Sequence, residues 1–105
     1  MPKYLLTYHG GATPEGMTED EVQAVMGKWM AWMGGLGEAL TDQGNAVMTS
    51  KTVTAGGVED GGGSNPATGY STLEAADFDA AVAMAKDCPI FESGGTVEVG
   101  ETIQM

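Results

Sequence analysis

Two helix-start signals, each framed by short runs of strand formers, constrain this chain more than anything else in it. Thr18-Glu19-Asp20-Glu21 is a capping box: the Thr18 side chain caps the first turn and Glu21 reaches back to the Thr18 amide. The three carboxylates also complement the positive end of the helix dipole. Beyond the box, Val22, Val25, Met26, Trp29, Met33, Leu36 and Leu40 recur with the period of one helical face. Gly44 stands where a left-handed residue would end that helix. Asp77 caps a second amphipathic stretch, Phe78, Ala81, Val82 and Ala85, which Pro89 terminates.

The strand candidates fall around these helices. Residues 3–9 form a short apolar run that stops at Gly10-Gly11, and the adjacency of Leu5 and Leu6 predicts cover on both faces. Residues 46–54 read as a second strand with an interruption near Ser50-Lys51, 70–75 as a third and 96–99 as a fourth. The order strand, helix, strand, strand, helix, strand predicts an α+β, ferredoxin-like split βαβ domain. Its four-stranded antiparallel sheet carries both helices on one face. A chain of 105 residues has room for one core, so a single domain covers 1–105. Two glycine- and proline-bearing segments, 10–17 and 55–68, read as loops. The second, with five Gly, is long enough to predict a mobile flap.

Gly27, Gly34, Gly35 and Gly37 sit inside the first helical pattern, where each costs about 0.5–1 kcal/mol relative to Ala. They predict close approach of the helix to the sheet or to a second subunit, or a kink at Gly34-Gly35.

Fifteen acidic residues against four Lys and no Arg leave a formal charge of −11. Such a chain is repelled by phosphate backbones and anionic leaflets, so neither nucleic acid nor membrane is expected as a partner. No apolar run approaches the ~20 residues of a membrane span, and the opening residues lack the apolar core of a signal peptide. The single cysteine, Cys88, excludes an internal disulfide and suits a reducing, cytoplasmic setting.

His9 is the one side chain whose ordinary titration falls near neutrality, and it ends a strand beside a flexible turn. It is the candidate general acid or base, against the plainer role of a ring bonded to a backbone carbonyl. One His and no Cys cluster cannot assemble a zinc site, and the capping box already accounts for Glu19-Asp20-Glu21, so no metal is expected. The run Gly61-Gly62-Gly63-Ser64-Asn65-Pro66 lacks the Gly-Lys-Ser/Thr and following helix of a phosphate loop. No cofactor is expected. Trp29 and Trp32, among Met26, Met30 and Met33, are suited to an apolar ligand wall or to core.

Several of these segments resemble one family. Lys3–His9, Trp29-Met30-Ala31-Trp32, Gly69–Asp77, Ala80–Pro89 and Gly94–Val99 are similar to the YCII-related (DGPF-type) family over nearly the whole chain. The resemblance implies a ferredoxin-like subunit that pairs into a dimeric α+β barrel, with a pocket between sheet and helices. Asp60-Gly61-Gly62-Gly63 stands here for the family's Asp-Gly-Pro-Phe, and Thr18–Val22 has no counterpart of the His carried by some relatives.

Two functional readings follow. In the first, a small-molecule enzyme of lyase or isomerase type uses His9 as proton acceptor with Asp60 from the long loop. Trp29, Trp32, Lys51, Ser64 and Asn65 then hold an unidentified small-molecule ligand. In the second, a non-catalytic homodimer binds a small molecule or a protein partner. The same order of elements places strands one and three side by side, so Ser64 to Thr68 should approach His9.

Overall fold

The computed structural model describes residues 2–11 and 16–103. Eight regular elements follow in chain order: β1 (Lys3–His9), α1 (Glu19–Leu36), β2 (Leu40–Asp42), β3 (Lys51–Thr54), β4 (Gly57–Asp60), β5 (Ala67–Glu74), α2 (Phe78–Ala85) and β6 (Thr96–Glu101). Short 3₁₀ turns occupy Gly37–Ala39 and Pro89–Ser93. Of the expected 10–17 loop, residues 12–15 lie outside the described residues.

Strands β2, β5, β1 and β6 form one antiparallel sheet in that order, an α+β build compatible with the ferredoxin-like arrangement. The two central strands carry the core. On β1 the inward residues are Tyr4, Leu6 and Tyr8; on β5 they are Gly69, Ser71 and Leu73, and buried Ala75 follows just past its end. Within the single chain β1 alternates, and Leu5 points away from the core with 37% exposure. Leu6 and Leu73 are fully buried, and a leucine so placed contributes about 1.5–3 kcal/mol. α2 packs on this face through Ala81 and Ala85, residues small enough to bring its backbone close to the sheet.

The two helix starts are as the sequence indicates. Thr18 Oγ1 accepts from the Glu21 amide at 3.1 Å and Asp77 Oδ1 from the Ala80 amide at 2.8 Å. The end of α1 is not. The helix stops at Leu36, where Gly37 adopts φ +57° and its amide bonds back to the Gly34 carbonyl. Leu40 is therefore a strand residue opposite Leu73, and β2 rather than 46–54 supplies the sheet's edge. Gly44 is also left-handed, at φ +74°, but it shapes the turn after β2. The expected second strand splits: Ala46 makes one bridge to Gly69, and 51–54 turns away to pair with β4.

That β3–β4 hairpin belongs to neither edge of the main sheet. Within the expected 55–68 loop it orders 57–60, pairing Lys51 with Asp60 and Val53 with Val58, while 61–66 remain bend and loop. It contributes to a radius of gyration of 14.9 Å, above the roughly 13 Å of a compact domain this long. Among the described residues no helix is long and apolar enough to cross a membrane.

α1 lies on the sheet more loosely than α2. None of its residues is fully buried; Val22, Val25, Trp29, Trp32, Met33 and Leu36 are half-covered, while Met26 is 58% exposed. Its glycines make no close approach within the chain: a Cβ at Gly27, Gly34 or Gly35 would meet nothing described within 4 Å. Gly44 is the opposite case, since a Cβ there would fall 1.7 Å from the Tyr70 carbonyl oxygen. Chemical denaturation separates the two. Gly34→Ala should stabilise by about 0.5–1 kcal/mol, whereas Gly44→Ala should destabilise by at least about 2 kcal/mol through overlap and backbone strain.

Candidate functional site

The loose seating of α1 leaves a cavity of about 330 Å³ between that helix and the sheet. Its floor is the end of β1 and the start of β5, where Tyr8, Thr68, Gly69 and Tyr70 meet. α1 supplies Val25, Trp29 and Met33 as the roof, and residues 43–46 close one side. Ile90 and Ser93 close the other. Lys28 Nζ lies 3.0 Å from Glu92 Oε1, tying α1 to the Pro89–Ser93 turn near the Ser93 wall. Both partners of this ion pair are more than half exposed, so it contributes well under 1 kcal/mol.

Aromatic rings define the inner surface. Tyr8 and Trp29 meet edge to face, with centroids 4.9 Å apart and planes at 88°. Trp32 stands behind them, 5.8 Å from Trp29, and donates its indole N–H to the Met84 carbonyl at 3.1 Å. The Tyr8 hydroxyl donates to Ser71 Oγ at 2.8 Å, and Ser71 donates onward to the Gln43 carbonyl at 2.7 Å. Ser71 is wholly buried, so this relay satisfies a hydroxyl that would otherwise be costly. Burial pushes the Tyr8 hydroxyl up to about 12, outweighing the Ser71 bond that favours the phenolate. At neutral pH the ring is a neutral phenol and no base.

No charged side chain among the described residues lines the cavity. His9 is the clearest departure from expectation. It directly follows Tyr8 on β1, so the strand's alternation turns it to the opposite, helix-free face. There Nδ1 donates to the carbonyl of Asn65 at 3.0 Å, with that of Pro66 at 3.3 Å; two acceptors place the ring hydrogen on Nδ1. Nε2 lies 3.4 Å from Glu98 Oε1, yet this buried nitrogen has no hydrogen-bond partner. The pair is close enough for charge attraction if the ring is protonated but lacks the alignment of a bond.

The remaining expected residues divide accordingly. Trp29 lines the cavity and Trp32 backs it. Asp60 is 95% exposed on the hairpin and pairs with Lys51 at 3.3 Å, so neither joins His9. Asn65 reaches His9 through its backbone, as the strand order requires, and Ser64 is an exposed loop residue. Tyr8, Ser71, Gln43, Asn45 and Ser93 had not been singled out. One signal was present: Ser71 interrupts the inward series Gly69, Leu73, Ala75 with a hydroxyl.

Comparison with protein-family models and with curated proteins finds no match for this chain.

Cys88, buried beneath the sheet, is pushed up to about 11 by the same desolvation that acts on Tyr8. Both groups hold their protons more tightly folded than unfolded. The stability they confer is complete below pH 9 and is lost as pH rises, through about 11 for Cys88 and about 12 for Tyr8. Denaturation measured across that alkaline range should show a decline that is shallower in Tyr8→Phe. At neutral pH the same substitution should cost about 1 kcal/mol, because Ser71 loses its donor.

Proposed function

We propose that this chain is a small-molecule-binding module of YCII-like build, acting as a homodimer. The observation that carries the reading is the aromatic-walled cavity between α1 and the sheet. Its volume sits at the lower end of the roughly 300–1,000 Å³ of ligand sites. Its polar groups, the Tyr8–Ser71–Gln43 relay at the floor, suit orientation of a ligand and not proton transfer. No described residue at the wall has both the position and the basicity to abstract a proton near neutrality.

A second reading, lyase- or isomerase-type proton transfer by His9, is favoured by one observation. Nε2 is buried without a hydrogen-bond partner on the helix-free face, beside the Glu98 carboxylate. A catalytic site there would need a covering surface.

The dimer in this proposal covers that face. Both helices pack on one side of the sheet, leaving Leu5, Thr7, Tyr70 and Thr72 on the other, and sheet-on-sheet stacking of two copies would form the α+β barrel of YCII-like proteins. The mixed character of this face, with Thr41 and Thr72 hydroxyls 2.8 Å apart, fits a partly polar interface. A single, buried Cys88 fits a cytoplasmic setting.

Two measurements test the proposal. Light scattering on a sizing column should return twice the chain mass at micromolar concentration; a stable monomer removes the barrel. A titration with naphthol followed by amide and indole NMR signals should shift Trp29, Gly11 and Gly69 and be unaltered in His9→Ala. Shifts confined to His9 and Glu98 would move the site to the open face and favour the second reading.

A further inference from the structure

We infer that the cavity selects small aromatic molecules bearing no negative charge, an inference that rests on the binding reading above. Three observations converge on this class.

The first is the wall itself. Tyr8 and Trp29 line it with Trp32 behind them, a contiguous aromatic cluster in which each ring meets the next edge to face. Adding a flat ring extends that packing with polarised edges against π faces, an arrangement worth about 0.5–1.5 kcal/mol per contact beyond area burial. A saturated ring of the same size gains burial alone.

The second is the absence of any group that would receive an anion. Among the described residues the cavity has no Lys or His at its wall, and the chain has no Arg for a bidentate clamp. Lys28, on α1, is already paired with Glu92, and Lys51 on the hairpin with Asp60. A carboxylate or phosphate entering the cavity would shed water and find no opposite charge, while the formal −11 of the chain repels it on approach.

The third is the character of the free polar groups. Gln43 and Ser93 line the cavity, and neither side chain hydrogen-bonds to another described residue. An amide and a hydroxyl each offer a donor and an acceptor, which suits a hydroxyl, carbonyl or ring N–H on the ligand. Specificity then comes from the neutral hydrogen bond and the stacking surface, and discrimination from the missing counter-charge.

The test uses three probes of similar shape on the intact protein: naphthol, naphthoate and decahydronaphthol, titrated by NMR at low salt. Naphthol should bind at least about tenfold more tightly than either of the others. The penalty on naphthoate should shrink as salt rises, because part of it is long-range repulsion. In Trp29→Leu the preference for naphthol over decahydronaphthol should be lost, with Trp32 retained as a probe of folding. Equal affinity for naphthoate would overturn the charge selection and leave the binding site standing. Equal affinity of the wild-type protein for decahydronaphthol would overturn the aromatic selection in the same way. Absence of shifts with all three probes would overturn the binding reading, and this inference with it.

Discussion

The pairing of β1 with β5 is the constraint on which the other features rest. These two strands occupy the centre of the sheet, and their register sets which side of β1 is core. Lys3 to Tyr8 pair in step from Glu74 to Gly69, then the register slips and His9 stands opposite Ala67. Thr68, left over at the slip, donates from its hydroxyl towards the carbonyls of Tyr8 and Gly10. Alternation along β1 commits Tyr8 to the cavity and His9 to the outer face. A shift of one position would exchange them.

From that pairing the site assembles by proximity. Tyr8 and Ser71 come together because both are inward residues of adjacent strands, two residues apart on the ladder: Tyr8 stands opposite Gly69 and Ser71 opposite Leu6. Ser71 then fixes residue 43 through its carbonyl, and the Gly44 turn lets the chain pass against the β5 backbone. The cavity is what remains between this floor and a helix whose large residues bridge the gap without filling it. Polar satisfaction at the floor and incomplete packing at the roof are different physical states, and the cavity lies at the boundary between them.

Much of the architecture was legible in the sequence, because capping and periodicity are local. Thr18 and Asp77 announced their helices, and the alternation in Tyr70–Ala75 announced a central strand. The end of α1 was not legible: Leu40 continues the helical period, and only the left-handed turn at Gly37, one glycine among several, takes it into the sheet. The hairpin was hidden for a similar reason. Gly57 to Asp60 has one apolar residue, and its pairing with 51–54 depends on a turn whose neighbours also look like loop. Residue choice at the site was read through chemistry, so the titratable His9 drew notice while Tyr8, neutral and central, did not. Alternation alone puts adjacent strand residues on opposite faces; with Tyr8 assigned to the core, His9 is excluded from it.

The contrast between the two helices has a kinetic side. α2 is anchored by buried alanines, whereas α1 is held by partial contacts, aromatic edges and an exposed ion pair. With so little buried contact, α1 should detach at lower free energy than the sheet unfolds, and its amides should exchange ahead of those of β1 and β5. In the proposed binding role α1 is one wall of a half-open cavity, so loosening that helix would shorten the residence of a molecule held against it. Substitutions on the outer surface of α1, remote from the cavity, would then alter how long the proposed ligand stays while leaving the shape of its site untouched.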